Sequence, residues 1–106
     1  MTVREQLIAA RAKVDAGWTQ GVFARDANGS DLLIAQNFEG AVCFCASGAL
    51  KAIGADTFGP AYKALSAAVG HYFISNWNDE PKRTKEEVLA GFDKAIAAQD
   101  ALQVVV

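Results

Sequence analysis

The sequence predicts a mainly α fold, a compact bundle of about four helices around a central apolar helix, with a short β-hairpin or loop after the first helix. Three observations predict it. Thr2 with Glu5 and Thr84 with Glu87 form two capping boxes, and each precedes a run of apolar residues at helical spacing. From Gly40 to Gly54 only Lys51 is charged, so that stretch is apolar nearly all round and belongs in the middle of the fold. Asn28-Gly29 is a tight-turn dipeptide, because both residues tolerate positive φ.

The elements follow in order. In the first helix Val3, Leu7, Ala10 and Val14 recur on one face, Ile8 widens the stripe, and Arg4, Arg11 and Lys13 lie largely away from it. Gly17 is expected to stop that helix in the left-handed conformation, with Trp18 folding back onto the core. Val22 and Phe23 lead into the turn around Asn28-Gly29, and Leu32, Leu33 and Ile34 follow it. The central helix is expected from about Gly40, with Cys45, Gly48, Ala49 and Ala52 on one side, where small residues admit a neighbouring helix. Gly59-Pro60 opens the next helix, with Ala61, Leu65, Ala68, Val69 and Tyr72 at helical spacing and an end near Gly70. His71 to Trp77 reads as either helix or strand. In the last helix Val88, Leu89, Phe92, Ala95, Ile96 and Ala98 supply the buried face, and Gly91 implies a close packing contact.

At 106 residues the chain is one domain, residues 1–106, long enough to bury a core without disulfides or metals. The net charge of −2 gives no general attraction to phosphate backbones or anionic membranes, so no nucleic-acid partner is expected. No run reaches the ~18 apolar residues of a membrane span. The N-terminus lacks the apolar core of a signal peptide, and two cysteines one residue apart make no disulfide framework. A cytoplasmic protein with reduced thiols is expected.

Several residues carry chemical potential. Asp26, Asn28 and Asp31 suggest a calcium loop, but their spacing fails the EF-hand pattern, and no metal or cofactor is expected. Cys43 and Cys45 on a helix would point about 200° apart and could not share an ion. Cys45 with His71 and Asp79 or Asn78 gives the minimal outline of a thiol hydrolase or transferase. Its force depends on Cys45 lying in the first turn of a helix, and a start near Gly40 puts it about a turn too deep. The Trp77-Asn78-Asp79 turn is either an ordinary Asx turn stiffened by Pro81 or a ligand-gripping corner. Lys82, Arg83 and Lys85 beside it are an ordinary solvated turn before they are an anion contact.

Taken together, Gly17-Trp18-Thr19-Gln20-Gly21, Phe23-Ala24-Arg25-Asp26 with Gly29, Cys45-Ala46-Ser47-Gly48-Ala49-Leu50, and Trp77-Asn78-Asp79 with Pro81, Arg83-Thr84 and Val88-Leu89 form an ordered pattern. It resembles a family of small uncharacterised proteins from bacteria, especially actinobacteria, and their phages, the domain of unknown function DUF6197. One departure is visible: the family pattern has a tryptophan just before its cysteine, and this chain has Phe44. An aromatic packing role survives there, but an indole hydrogen bond does not. The resemblance implies a cytoplasmic accessory protein linked to phages or mobile elements, and brings no established activity.

The leading expectation is a non-enzymatic binding protein for a small molecule or a protein partner. Trp18, Arg25, Asp26, Cys45, Trp77, Asn78, Asp79 and Arg83 are the candidate ligand-binding residues. The alternative is the cysteine-dependent hydrolase or transferase using Cys45, His71 and Asp79. A homodimer through Val104-Val105-Val106 and the alanine-rich faces is the third option. Asp79 is expected to hold its turn by accepting bonds from exposed backbone amides.

Overall fold

A computed structural model of the chain describes residues 1–33 and 38–104. Among them are five helices and three short strands: α1 (Val3–Ala16), β1 (Ala24–Asp26), β2 (Asp31–Leu32), β3 (Ala41–Phe44), α2 (Ala46–Ala52), α3 (Pro60–Val69), α4 (Ile74–Asn78) and α5 (Lys85–Val104). The fold is mainly helical, with a small antiparallel sheet of strand order β2-β1-β3. No helix of the described residues is long and apolar enough to cross a membrane.

Both capping boxes form. Thr2 Oγ1 accepts the Glu5 N–H at 3.1 Å, and Glu5 Oε1 accepts the Thr2 N–H at 2.8 Å. Thr84 and Glu87 repeat the exchange at 3.2 and 2.9 Å, so each long helix begins with its free donors satisfied. α1 buries Leu7, Ala10 and Val14 against Val88, Phe92 and Ala95 of α5 and Leu65 of α3 in a single core. Each large side chain there contributes about 1.5–3 kcal/mol through removal from water. Arg4–Asp100 at 2.6 Å and Arg11–Asp93 at 2.7 Å span the exposed edge between α1 and α5. The predicted close contact at Gly91 is present: a Cβ there would lie 2.8 Å from Val69 Cγ1 and 3.0 Å from the Trp77 ring. On the same helix Ala98 is exposed rather than buried, because α5 runs past the end of the core.

Gly17 does not take the expected left-handed conformation. Its backbone is extended, with φ −176°. Glycine is required for space instead, since a Cβ would stand 2.2 Å from the Val42 carbonyl oxygen. Residues 17–19 run alongside β3, with Phe44 N–H donating to Gly17 O at 2.9 Å and Thr19 N–H to Phe44 O at 3.1 Å.

The predicted hairpin around Asn28-Gly29 forms as β1 and β2, with Gly29 at φ +80°. The segment from Gly40 departs from expectation. Residues 41–44 are a strand paired with β1, and the helix starts only at Ala46. At Gly48 the close approach is not made by a helix. A Cβ at Gly48 would stand 1.9 Å from the Phe23 carbonyl oxygen, so the neighbour that approaches is the backbone leading into β1.

α3 begins at Pro60 and ends at Gly70, whose left-handed φ of +70° closes the helix as expected. Tyr72 therefore lies beyond the helix and is exposed, not on its apolar stripe. The ambiguous stretch after it resolves into α4, a single helical segment with Ile74, Trp77 and Asn78 buried. Ile34 and the tail residues Val105 and Val106 lie outside the described residues.

Candidate functional site

The short helix α4 ends at Asn78, whose side chain is fully buried. A buried amide is tolerated only when its donors and acceptors are matched, and here both ends are. Oδ1 accepts the Trp18 indole N–H at 2.8 Å and the Ala46 N–H at 3.0 Å. Nδ2 donates to Thr19 O at 3.1 Å and to Asp79 Oδ1 at 3.0 Å. Reversing the amide would set its NH₂ against two donors, so the network itself fixes the orientation. Gln20 Nε2 adds bonds to Asn78 O and Glu80 O, both at 3.0 Å. Asp79 Oδ1 accepts the Gly21 N–H at 3.0 Å. Residues 18–21, α4 and the first residue of α2 are thereby bound into one polar knot.

Cys45 caps α2. Its Sγ accepts the Gly48 N–H at 3.2 Å, and its own N–H donates to Phe23 O at 3.0 Å. Its place at the helix start meets the condition that a start near Gly40 would have denied. Electrostatics then decide the matter the other way. Burial pushes the thiol up to about 11, outweighing the Gly48 N–H, which stabilises the thiolate, and the Asp79 charge pushes it further up. At neutral pH the thiol is protonated. No hydrogen bond joins Cys45 to His71 among the described residues, and His71 Nδ1 is itself buried without a partner. Cys43, in the strand, directs its thiol to Arg25 O at 3.9 Å. The two cysteines thus belong to a strand and a cap, and the helical spacing expected between them does not arise.

Beside the knot lies a pocket of about 210 Å³, lined by Gly21, Val22, Phe23, Leu33, Cys45, Ser75 and Asp79. Ser75 lies in α4 and Asp79 caps its C-terminal end four residues on, joined through Asp79 N–H to Ser75 O at 3.0 Å, so their side chains share a face. The pocket is apolar along residues 22, 23 and 33 and polar where Ser75 and Asp79 meet it.

Of the eight predicted site residues, Cys45 and Asp79 line this pocket. Trp18 and Asn78 support it from within the knot. Trp77 is buried against Gly91, with the Arg83 guanidinium 4.6 Å from its ring centroid. Arg83 also donates to Trp77 O at 2.9 Å and faces Glu87, which turns it toward a separate groove with Glu80, Pro81 and Lys82. Arg25 braces residues 18–21, the strap bonded to α4, through Thr19 Oγ1 at 3.0 Å and Gln20 O at 3.3 Å, and pairs with Asp31. Asp26 stays in the hairpin, accepting the Asn28 and Ser30 N–H groups at 2.9 and 3.0 Å. Asp79 accepts a backbone amide as expected, but from Gly21, 58 residues away, rather than from its own turn.

Gly21, Val22, Phe23, Leu33 and Ser75 were not among the candidates. The one sequence signal for them is the four-residue spacing of Ser75 and Asp79, which has meaning only once residues 74–78 are known to be helical. Phe44 has the expected aromatic packing role: it is buried, edge-on to Phe38 at 6.2 Å. Among the described residues no three His, Cys, Asp or Glu side chains converge as metal ligands. No curated protein and no solved structure matches the chain. The model of the family of unknown function DUF6197 matches residues 1–98, nearly the whole sequence, and the chain belongs to that family.

Proposed function

We propose that this protein is a non-enzymatic binding protein whose small-molecule ligand enters the pocket between residues 21–23 and α4. The observation that carries the reading is the joining of that pocket to the saturated Asn78 knot. Both polar walls, Asp79 and the Gly21 backbone, are fixed by hydrogen bonds before any ligand arrives, so binding loses little ordering entropy there. At about 210 Å³ the pocket is smaller than the ~300 Å³ at which drug-sized sites begin, which points to a compact ligand. Nothing favours the thiol alternative over this reading, because it needs an ionised cysteine and a nearby base. The setting in phages or mobile elements rests on the family resemblance alone.

The test is a thermal-shift screen of pooled small metabolites, followed by ¹⁵N chemical-shift mapping of any hit. A ligand of the pocket raises the melting temperature with its occupancy and moves the amides of Gly21, Val22 and Phe23. Hits that leave those amides unmoved, or the absence of hits, would overturn the proposal.

A further inference from the structure

Among the described residues the pocket contains one formal charge, and no ion pair neutralises it. Asp79 is the only acidic or basic side chain among the described lining residues. The four ion pairs among the described residues use Asp100, Asp93, Asp31 and Glu87 as their acids. The nearest cations in sequence, Lys82 and Arg83, line the separate groove with Glu87, and Arg83 is held there by the Trp77 ring and the Trp77 carbonyl. Cys45 brings no charge at neutral pH, since burial keeps its proton on.

The carboxylate is also held in place. Its Oδ1 receives two donors, the Gly21 N–H and the Asn78 amide, and Asn78 is itself immobilised by three further bonds. Oδ2 has no hydrogen-bond partner among the described residues, and neither does the Ser75 hydroxyl one helical turn away. Val22, Phe23 and Leu33 supply apolar lining to the same pocket.

Resting on the reading of this pocket as a ligand site, we infer that its ligand is a compact protonated amine with an apolar body. The ammonium takes Asp79 and Ser75 as acceptors, and the body lies against Val22, Phe23 and Leu33. A charge-assisted bond of this kind is about twice as strong as a neutral one. An anionic ligand of the same shape meets a like charge, and a neutral one covers the carboxylate without pairing it, so both are selected against.

Three ligands sharing one carbon skeleton provide the test: 3-methylbutylamine, 3-methylbutanol and 3-methylbutanoate, titrated into ¹⁵N-labelled full-length protein at neutral pH. The amine should move the Gly21, Val22 and Phe23 amides and bind about tenfold more tightly than the alcohol, and the acid should not bind. Asp79→Asn keeps an acceptor for the Gly21 N–H, and it should bring the amine down to the affinity of the alcohol. Ser75→Ala, which removes no bond seen in the fold, should weaken the amine more than the alcohol. If the alcohol or the acid binds as well as the amine, the ligand class is wrong while the pocket stands. If none of the three moves those amides, and the metabolite screen is also empty, both are overturned.

Discussion

Asn78 and Asp79 are neighbours in sequence with opposite mutational expectations. Asn78 is fully buried and makes four bonds through its side chain. Asn78→Ala strands the Trp18 indole, the Ala46 amide and the Thr19 carbonyl, and should cost about 3 kcal/mol in urea melts. Asp79 is exposed and holds one backbone amide from the strap. Asp79→Asn should stay within about 0.5 kcal/mol of wild type because an oxygen acceptor remains, whereas Asp79→Ala should lose about 1 kcal/mol, as a lost cap does. Equal, near-wild-type melts for the two Asp79 variants would sink its structural role and leave ligand contact as its reason to be there. Cys45 sets a pH dependence. Its folded pKa of about 11 stands above the ordinary 9.0, so the folded state holds the proton more tightly than the unfolded chain does. The stability this carries is complete below pH 9 and is lost as pH rises toward 11, roughly 2–3 kcal/mol by linkage. Cys45→Ala lacks that ionisation, and its stability should fall less steeply across the same window. Parallel curves for the two proteins would show that the thiol is not desolvated.

At the level of elements, glycines mark where the backbone of one segment lies on another. A Cβ at Gly48 would meet the carbonyl oxygen and carbon of Phe23 at 1.9 and 2.6 Å, atoms fixed by their own bond to the Cys45 N–H. At Gly91 the neighbours are side chains, Val69 and Trp77, at 2.8 and 3.0 Å, and these can shift. Gly48→Ala should therefore cost about 3 kcal/mol, while Gly91→Ala, which regains about 1 kcal/mol of helix propensity, should cost clearly less. The reverse order in thermal melts would mean that α2 moves freely relative to β1. The same two glycines show what the sequence made legible. Gly91 in an amphipathic helix pointed to close packing, and the capping boxes, the Gly59-Pro60 start and the Asn28-Gly29 turn are all local signals that the structure repeats. The run from Gly40 was misread because a strand followed by a buried helix has the same unbroken apolar pattern as one longer helix. Its boundary is set by Cys45, a residue with weak acceptor power and no common capping role. Of the pocket proposed as the site, Cys45 and Asp79 were candidates from the sequence, as were Trp18 and Asn78 in the knot beside it. The wall at Gly21 was not legible there, because it comes from a strap whose place depends on bonds between positions about 60 apart.

The whole molecule is joined in two different ways. Helices α1, α3 and α5 meet through apolar side chains, with Leu7, Val14, Leu65, Val88 and Phe92 fully buried. The strap, α2 and α4 add to the apolar packing of Ala46, Ala49, Leu50, Ile74 and Trp77 a set of polar bonds with Asn78 at the centre. Apolar packing is spread over many contacts and yields gradually, but a polar knot loses several bonds when one member goes. Native-state hydrogen exchange should show the difference. In the wild type the Gly21 and Ala46 amides, whose acceptors are the side chains of Asp79 and Asn78, should be protected despite lying at the ends of loops. In Asn78→Ala those two amides should exchange through local opening, while core amides of α1 and α5 such as Leu7 and Phe92 keep exchanging only through global unfolding. If Gly21 and Ala46 instead lose protection in step with Leu7 and Phe92, the knot and the helical core form a single cooperative unit. The strap that walls the pocket would then be held as firmly as the helical core.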